Sequence, residues 1–383
     1  MKAIINGKIY TMAGEIIEGG SVLIADGKIR EVGADIQIPG GVEIIDAGGK
    51  IVFPGIIDAH THLGIGEDGL GWEGRDYNEM SDPVTPHLRA IDAINPREPG
   101  LKNARLNGVT TVATGPGSAN VLGGESVAIK TCGRTVDEMI IKNPIGIKAA
   151  LGENPKAVYG EKNRSPQTRM AVAALLREYL IKAQDYLAEK ELMEEKGEHF
   201  KRDLKMESLI PVLKKELPLK AHAHRADDIM TIIRIAREFD IKVTLEHCTE
   251  GHQIAEEIAR SGFPAIVGPT LSGKTKVELA DQSFSTPGIL AGAGVRVAIM
   301  SDHPVVPTEN LPVYAALAVK AGMPEEEALK AITINPAIIL GIDDRVGSIE
   351  PGKDADLAIF DRHPLDIQAR VERVFINGEE VVD

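Results

Sequence analysis

Between residues 51 and 344, short apolar runs alternate with longer segments whose apolar residues recur at helical spacing. This alternation is typical of parallel sheets, because two neighbouring parallel strands need a crossover segment, usually a helix, to connect them. We therefore predict an α/β fold built on a (β/α)8 TIM-like barrel, whose functional side chains lie at the carboxyl ends of the strands. The predicted strands are residues 56–62, 108–115, 125–131, 145–151, 218–224, 242–247, 264–268 and 295–302.

The two ends of the chain have a different pattern, in which short β-branched runs are broken by Asn-Gly, Asp-Gly and Gly-Gly pairs. Such pairs favour the tight turns of β-hairpins. The run FING at residues 375–378 also resembles IING at residues 4–7. We predict one small β domain formed by residues 1–50 and 345–383, with the barrel of residues 51–344 inserted between its halves.

Two long segments interrupt the barrel pattern. Residues 64–100 contain the only tryptophan, Trp72, and are too long for an ordinary connection, so we expect a lid or a substrate-binding loop there. Residues 169–214 combine helical spacing with a highly charged end, which indicates a surface helix without chemistry of its own.

Charge and cysteine content restrict the partners and the compartment. The formal net charge of −14 disfavours binding to nucleic acid or to anionic membranes, which requires clustered Lys and Arg. The two cysteines, Cys132 and Cys248, form no CxxC pair, which fits a reducing cytoplasm. No apolar run approaches the roughly 20 residues of a membrane-spanning helix, and the N-terminal residues do not have the pattern of a signal peptide. We expect a cytoplasmic protein with a small-molecule substrate.

The first predicted barrel strand ends in Asp58-Ala59-His60-Thr61-His62. Side chains two residues apart on a strand point to the same face, so His60 and His62 point together with Asp58. Two neutral imidazoles at this spacing are able to share one divalent metal ion.

Further metal-binding residue types recur where other predicted strands end. His222 and His224 share one face of the fifth strand, His247 ends the sixth, and Asp302 ends the eighth. Because the carboxyl ends of barrel strands meet on one side, we expect these side chains to converge. Several imidazoles and one carboxylate suit zinc or a similar ion, so the sequence predicts a divalent metal site, most simply for zinc.

These residues lie in runs that make the sequence similar to the amidohydrolase superfamily, in its imidazolonepropionase-related group. The matching runs are FPGIIDAHTH at 53–62, AHAHRADD at 221–228, LEHCTEG at 245–251, SDHP at 301–304, ALKAITINPAIILGI at 328–342 and GSIEPGKDADLAIF at 347–360. The resemblance implies a metal-bearing barrel with a β-sandwich formed by both termini. Homo-oligomers are common in this superfamily, so the resemblance also makes a homo-oligomer an expectation.

The resemblance also implies roles for individual residues. His60 and His62 would bind the more buried metal, His222 and His247 would bind a second one, and Asp302 would bind metal and shuttle protons. A one-metal site, with His222 or His247 joining a single ion, stays an alternative.

Two-metal members of the superfamily also need a bridging acid from the third or fourth strand. Either Glu153 or a carboxylated Lys148 would provide it in this chain. Glu153 is the favoured bridge because it lies past the carboxyl end of the strand, and Lys148 is the alternative.

A bound divalent ion lowers the pKa of its water toward neutrality, and Asp302 could pass that water's proton to a leaving nitrogen. His224 is a candidate to contact the substrate carbonyl. Superfamily deaminases typically carry a glutamate three residues after the fifth-strand histidine, and here that position is Arg225. We therefore predict hydrolysis of a cyclic amide or a peptide-like C–N bond. A mononuclear deaminase or a dipeptidase is the alternative, followed by an ester or phosphoester hydrolase or an inactive scaffold.

Overall fold

The strands of this computed structural model, which describes residues 1–381, belong to two sheets. In chain order they are β1 (Lys2–Ile9), β2 (Ile17–Ala25), β3 (Lys28–Gly33), β4 (Glu43–Asp46), β5 (Ile51–Pro54), β6 (Ile56–Thr61), β7 (Val109–Thr114), β8 (Leu122–Lys130), β9 (Ile140–Ala150), β10 (Leu219–Ala223), β11 (Val243–His247), β12 (Ala265–Val267), β13 (Val297–Ile299), β14 (Leu357–Phe360), β15 (Val371–Ile376) and β16 (Glu379–Glu380).

The helices lie mostly between the strands of the second half of the chain. They are α1 (Pro99–Leu106), α2 (Val136–Met139), α3 (Glu153–Gly160), α4 (Arg169–Lys196), α5 (Leu204–Leu213), α6 (Ala226–Phe239), α7 (Ala255–Ser261), α8 (Thr286–Gly292), α9 (Leu311–Lys320), α10 (Glu325–Lys330) and α11 (Ile334–Leu340). None of the helices described for this chain is long and apolar enough to cross a membrane.

One of the two sheets is a nearly closed barrel of the eight strands β6 to β13, arranged in chain order. Its first and last strands meet just past their ends, where the Asp302 N–H donates to the His60 carbonyl at 3.2 Å. The His62 N–H likewise donates to the His303 carbonyl at 2.8 Å. Each predicted barrel strand overlaps one of these eight, so the mixed α/β barrel is confirmed.

One barrel strand runs against the predicted direction. β8 pairs antiparallel with both β7 and β9, whereas the other neighbours in the barrel pair in parallel. Residues 115–121 connect β7 to β8 without a helix, and only the short α2 lies between β8 and β9. Because a connection without a crossover joins antiparallel strands, the parallel direction that we predicted is wrong for β8.

The second sheet contains strands from both ends of the chain, in the order β16-β15-β14-β5-β1-β2-β3 with β4 paired to β1. It includes Ile51–Pro54, so this sheet extends past the boundary predicted at residue 50. Its buried side chains, among them Ile4, Val52 and Phe375, form a core of their own. The sandwich form and the exact domain boundaries stay predictions.

Buried charges hold the terminal sheet against the barrel. Lys130 on β8 forms ion pairs with Asp354, at 3.0 Å, and with Asp356, and all three side chains are almost fully buried. Arg345 Nη2 lies 2.7 Å from Asp354 Oδ2, so Asp354 forms ion pairs with both Arg345 and Lys130. Because a buried charge without its partner is costly, this network fixes the position of β8 relative to the chain that leads into β14.

The long segment at residues 169–214 forms α4 and α5. Val172, Leu176 and Leu180 on α4 are buried, and most of its charged side chains remain in solvent. The Thr168 hydroxyl accepts a hydrogen bond from the Ala171 N–H and caps the first turn, and Gly197 ends the helix in the left-handed conformation. The segment is therefore the surface helix predicted from its spacing.

Candidate metal centre

A cavity of about 560 Å³ opens at the end of the barrel where most strands have their carboxyl ends. The sequence-predicted site residues that line it are His60, His62, Lys148, His222, His224, His247 and Asp302. They come from β6, β9, β10, β11 and the residues after β13. The structure thus brings together in one cavity residues that are more than 200 positions apart in the sequence.

The first group of converging atoms is centred on Asp302. Its Oδ1 lies 3.2 Å from His60 Nε2 and 3.3 Å from His62 Nε2. The His62 Nδ1–H donates to the Gly115 carbonyl at 2.7 Å, so its Nε2 is left to face the cavity. His60, His247 and Asp302 each offer an atom within 4.8 Å of the others. This spacing suits donors that close around one divalent ion.

The second group consists of His222, His224 and His247, whose ligand atoms also lie within 4.8 Å of one another. His224 Nδ1 is hydrogen-bonded to the Thr249 hydroxyl at 2.7 Å, and the His247 Nδ1–H donates to the Gly268 carbonyl at 2.9 Å. These bonds leave both Nε2 atoms available. His247 is a member of both groups, so two ions held there would be neighbours.

Burial prepares these imidazoles for metal binding. It lowers the pKa of His224 to about 3, and it holds the pKa values of His222 and His247 well below their ordinary range. All three rings are therefore neutral at pH 7, the form that binds metal. Both ring nitrogens of His222 are buried without a hydrogen-bond partner in the part of the chain described. Orphaned nitrogens of this kind are costly unless an ion or another partner satisfies them, so the residues fit a divalent metal.

The backbone is unusual at the strand ends that carry these ligands. His247 has φ of 75° and Asp302 has φ of 56°, both in the left-handed region that side chains other than glycine rarely adopt. Such conformations persist only where the surrounding structure enforces them, and they concentrate at functional sites. Here they turn the chain abruptly at the rim of the barrel, just where these two side chains enter the cavity.

Asp302 is ionised in this setting. Burial alone would raise its pKa, but the contacts with His60 and His62 outweigh burial and hold the pKa well below its usual range. Its side chain keeps 14% of its surface exposed, so the carboxylate is accessible from the cavity. It is therefore placed and charged to accept a proton.

Residues 64–100 do contribute to the cavity, as expected of a substrate-binding loop. Tyr77 stacks on His62 with ring centroids 5.1 Å apart and an angle of 16° between the planes, and Asn78 lines the wall beside it. Trp72, in contrast, is 88% exposed and does not line the cavity. The loop therefore acts through Tyr77 and Asn78, and its single tryptophan lies outside the site.

The side chain of Glu153 does not line the cavity that contains the histidines. The chain turns at Gly152, which has φ of 86°, and Glu153 then begins α3 with its side chain outside the cavity lining. Lys148 is 1% exposed, and its Nζ lies 3.4 Å from His60 Nε2 and 3.2 Å from Glu246 Oε2. Of the two predicted bridging residues, only Lys148 lines the cavity, because the turn at Gly152 directs the Glu153 side chain elsewhere.

Sequence reasoning missed two buried carboxylates of the site. Glu246 lies inside the barrel with its Oε2 2.6 Å from His60 Nδ1, and Glu278 lies beside His222 and His224. In the sequence, Glu246 could have been found because it is a charged residue within the apolar run of β11. No periodicity marks Glu278, because it reaches the site from a connecting segment.

Residues outside the candidate ligand set differ in whether they reach the cavity. Gly117 and Ser118 line the cavity, whereas Tyr159, Arg75 and Arg225 do not. Arg225 instead pairs with Asp227 at 2.9 Å near the surface. It therefore takes no part in the wall of the cavity.

Comparison with known proteins identifies the class to which this fold and site belong. Residues 51–381 match the model of the Amidohydrolase family, so the chain belongs to that family. The sequence resemblance is confirmed, and the chain is a hydrolase that acts on C–N bonds.

Individual relatives agree with this assignment. A solved structure of an amidohydrolase from Thermotoga maritima MSB8 is 46% identical and superposes with a TM-score of 0.97, with 100% of both chains covered. An imidazolonepropionase from Bacillus cytotoxicus is 26% identical over 91% of this chain and 84% of its own length. The amidohydrolase tasK of Hapsidospora irregularis is 29% identical over 95% of this chain, which spans only 40% of that longer protein.

Proposed function

We propose that this protein hydrolyses the C–N bond of a small cyclic amide or peptide-like substrate at a two-metal centre. The observation that carries the proposal is that two groups of candidate ligands, His60, His247 and Asp302 in one and His222, His224 and His247 in the other, share His247 in one accessible cavity. His60, His62 and Asp302 would hold the first ion, and His222 and His247 the second. Zinc is the ion that best suits this donor set.

When bound, such an ion supplies an activated water and polarises the carbonyl of the substrate. The residues of the chain supply the proton transfer. Asp302 Oδ1 accepts a proton on the nucleophile side and returns it to the leaving nitrogen, which converts a poor leaving group into a neutral amine. Tyr77 and Asn78 form the wall against which the substrate would be positioned.

Lys148 is the proposed bridge between the ions. Burial lowers the pKa of its amine, although Glu246 and Asp302 oppose this effect. A neutral amine is able to add CO₂ and release a proton, and the resulting carbamate provides two oxygens beside His60 Nε2. Lys148, although deep in the barrel, could therefore bridge two ions as a carbamate. Its ammonium form could not, because it has no oxygen to offer.

Metal content tests the bridge. We expect about two ions per wild-type chain, about one in Lys148→Met because the bridge is lost, and an unchanged value in Glu153→Gln, which serves as the control. The ions would be counted by mass spectrometry on protein purified without added metal. Depleting CO₂ should reproduce the Lys148→Met result in the wild type, and bicarbonate should reverse it. One ion in all three proteins would favour the mononuclear deaminase or cyclic-amide hydrolase.

A second observation favours substrates that carry a carboxylate. Lys276 lines the cavity, and its Nζ donates to Asn154 Oδ1 at 2.5 Å, while Asn154 donates to the Ser118 hydroxyl at 2.7 Å. A lysine held in this way offers one fixed positive charge to a substrate anion. This arrangement supports a dipeptide-like substrate within the same reaction class.

The reaction itself is tested with a substrate panel on metal-loaded protein. Cyclic amides, dipeptides, N-acyl amino acids and aryl esters would be compared by kcat/KM, together with the uncharged amide of each acid. Preference for an amide over the matching ester supports the proposal, and a preference for free acids supports the role of Lys276. Efficient cleavage of esters alone would contradict it.

A further inference from the structure

A second carboxylate, Glu278, lies against the histidines of the second group. It belongs to a short 3-10 turn, Val277–Leu279, in the connection between β12 and α8, and it is 1% exposed. Its Oε2 accepts a hydrogen bond from the Glu153 N–H at 3.0 Å. Gly152 leaves room for it, since a Cβ there would lie 2.9 Å from the same oxygen.

The other oxygen of Glu278 is not satisfied. Within the described residues, Oε1 has no hydrogen-bond partner. It points to His224 Nε2 at 3.7 Å and to His222 Nε2 at 3.9 Å, and no lysine or arginine within residues 1–381 forms an ion pair with this carboxylate. A buried carboxylate without a counter-charge is among the most costly groups in a folded protein.

The atoms that face Glu278 Oε1 are ring nitrogens of His222 and His224. Neither ring nitrogen comes within hydrogen-bond distance of Oε1, so this buried oxygen and the unpartnered nitrogens of His222 face each other without a bond that satisfies them. A cation located among these atoms would satisfy all of them together. The ligands around a tetrahedral zinc ion are about 3.4 Å apart, so the two distances above need to shorten by only a few tenths of an ångström.

We propose that Glu278 is the anionic ligand of the second metal ion, with His222, His224 and His247 as its other ligands. The inference rests on the proposed two-metal function, and it gives His224 a metal-binding role in place of contact with the substrate. A three-histidine, one-carboxylate set is a complete tetrahedral shell, to which a bridging Lys148 carbamate would add a fifth ligand.

The position of Glu278 also connects metal binding to the shape of the cavity. Leu271, Ser272 and Lys276 line the cavity from the same connecting segment. An ion bound by Glu278 would therefore hold this wall of the cavity in place, and removal of the ion would make the wall more mobile. Limited proteolysis of the segment offers a readout that does not depend on activity.

The test uses full-length protein stripped of metal with a chelator and then titrated with Co²⁺, whose visible absorption reports the ligand set. In Glu278→Gln and in His224→Gln, we expect the dissociation constant of the second equivalent to rise by about 10- to 100-fold. The absorption bands of that equivalent should change, while the first equivalent binds as in the wild type. The 270–280 segment should also be cut faster at matched Co²⁺.

Glu125→Gln is the matched control, because Glu125 is a partly buried carboxylate that does not line the cavity. It should leave both equivalents unchanged. Glu278→Asp, which retains the charge, should bind the second ion with intermediate affinity and keeps the test valid if the glutamine variant fails to fold by circular dichroism. Wild-type affinity and spectrum for the second equivalent in Glu278→Gln would overturn the role of Glu278 alone. A wild type that binds no second equivalent would overturn the two-metal function as well.

Discussion

Replacing Asp302 with asparagine should lower kcat by about 10³-fold, within the range that loss of a general acid–base group causes. The substitution retains an oxygen near His60 and His62 but removes the ability to hold a proton. The contacts with these histidines keep the Asp302 pKa well below its usual range, so the wild-type group is ionised at neutral pH and has an oxygen free to take a proton. Steady-state turnover and metal content would be measured on the same preparations.

Metal content separates the two roles given to Asp302. If the variant binds as many ions as the wild type, its loss of turnover reports proton transfer, whereas parallel loss of metal reports ligation. Asp92→Asn makes the same chemical change at an exposed carboxylate and should retain full activity. Turnover within a factor of about three of the wild type in a fully loaded Asp302→Asn protein would exclude the proton shuttle, which should account for at least about 10²-fold.

The histidines could be predicted because each is fixed by local pattern. On β10, alternation alone places His222 and His224 near the strand end, and barrel geometry then brings the ends of different strands together. Neither step requires knowledge of side-chain packing. The convergence of these side chains in one cavity was therefore accessible from the sequence.

The direction of β8 and the position of Glu153 were not accessible in the same way. Periodicity reports that a strand is present, but it does not report whether the strand runs up or down. The turn at Gly152 alone decides whether the side chain of Glu153 lies at the cavity rim or outside the cavity. Such turns are decided by tertiary packing, here including the Glu278 carboxylate against Gly152.

Replacing Glu246 with glutamine should destabilise the barrel by about 5 kcal/mol, because it leaves buried charges without their partner. Glu246 is fully buried, and its Oε1 lies 2.5 Å from Lys220 Nζ while its Oε2 lies 3.2 Å from Lys148 Nζ. One carboxylate thus offsets two lysines inside the barrel and also contacts His60 Nδ1. The free energy of unfolding would be measured by chemical denaturation of metal-free protein.

The loss of stability in Glu246→Gln should depend on pH, and the ionisation of Lys148 sets the direction of that dependence. Burial lowers the pKa of this lysine below its ordinary 10.5, and Glu246 works against that effect. Below the pKa of Lys148 in the folded protein, the amine is protonated in both the folded and the unfolded protein, and the full cost of burying its charge is present. Above that pKa only the unfolded protein keeps the proton, so the stability of the folded protein rises with pH. Without Glu246 this rise begins at a lower pH, so the deficit of the variant should shrink as the pH rises toward the ordinary lysine pKa of 10.5.

Two further variants test whether charge is the cause. The double substitution Glu246→Gln with Lys220→Met removes one of the stranded cations and should recover part of the lost stability, since the pair is then deleted together. Thr244→Val removes only the hydroxyl that donates to Glu246 Oε1 at 3.2 Å, and should cost about 1 kcal/mol at every pH. A small Glu246→Gln deficit would show that the ion pairs of Glu246 do not stabilise the metal-free barrel, and a deficit that stays constant with pH would show that it does not depend on the ionisation of Lys148. The orientation of the His60 ring would then need another explanation, because within residues 1–381 Glu246 provides the only carboxylate that contacts His60 Nδ1.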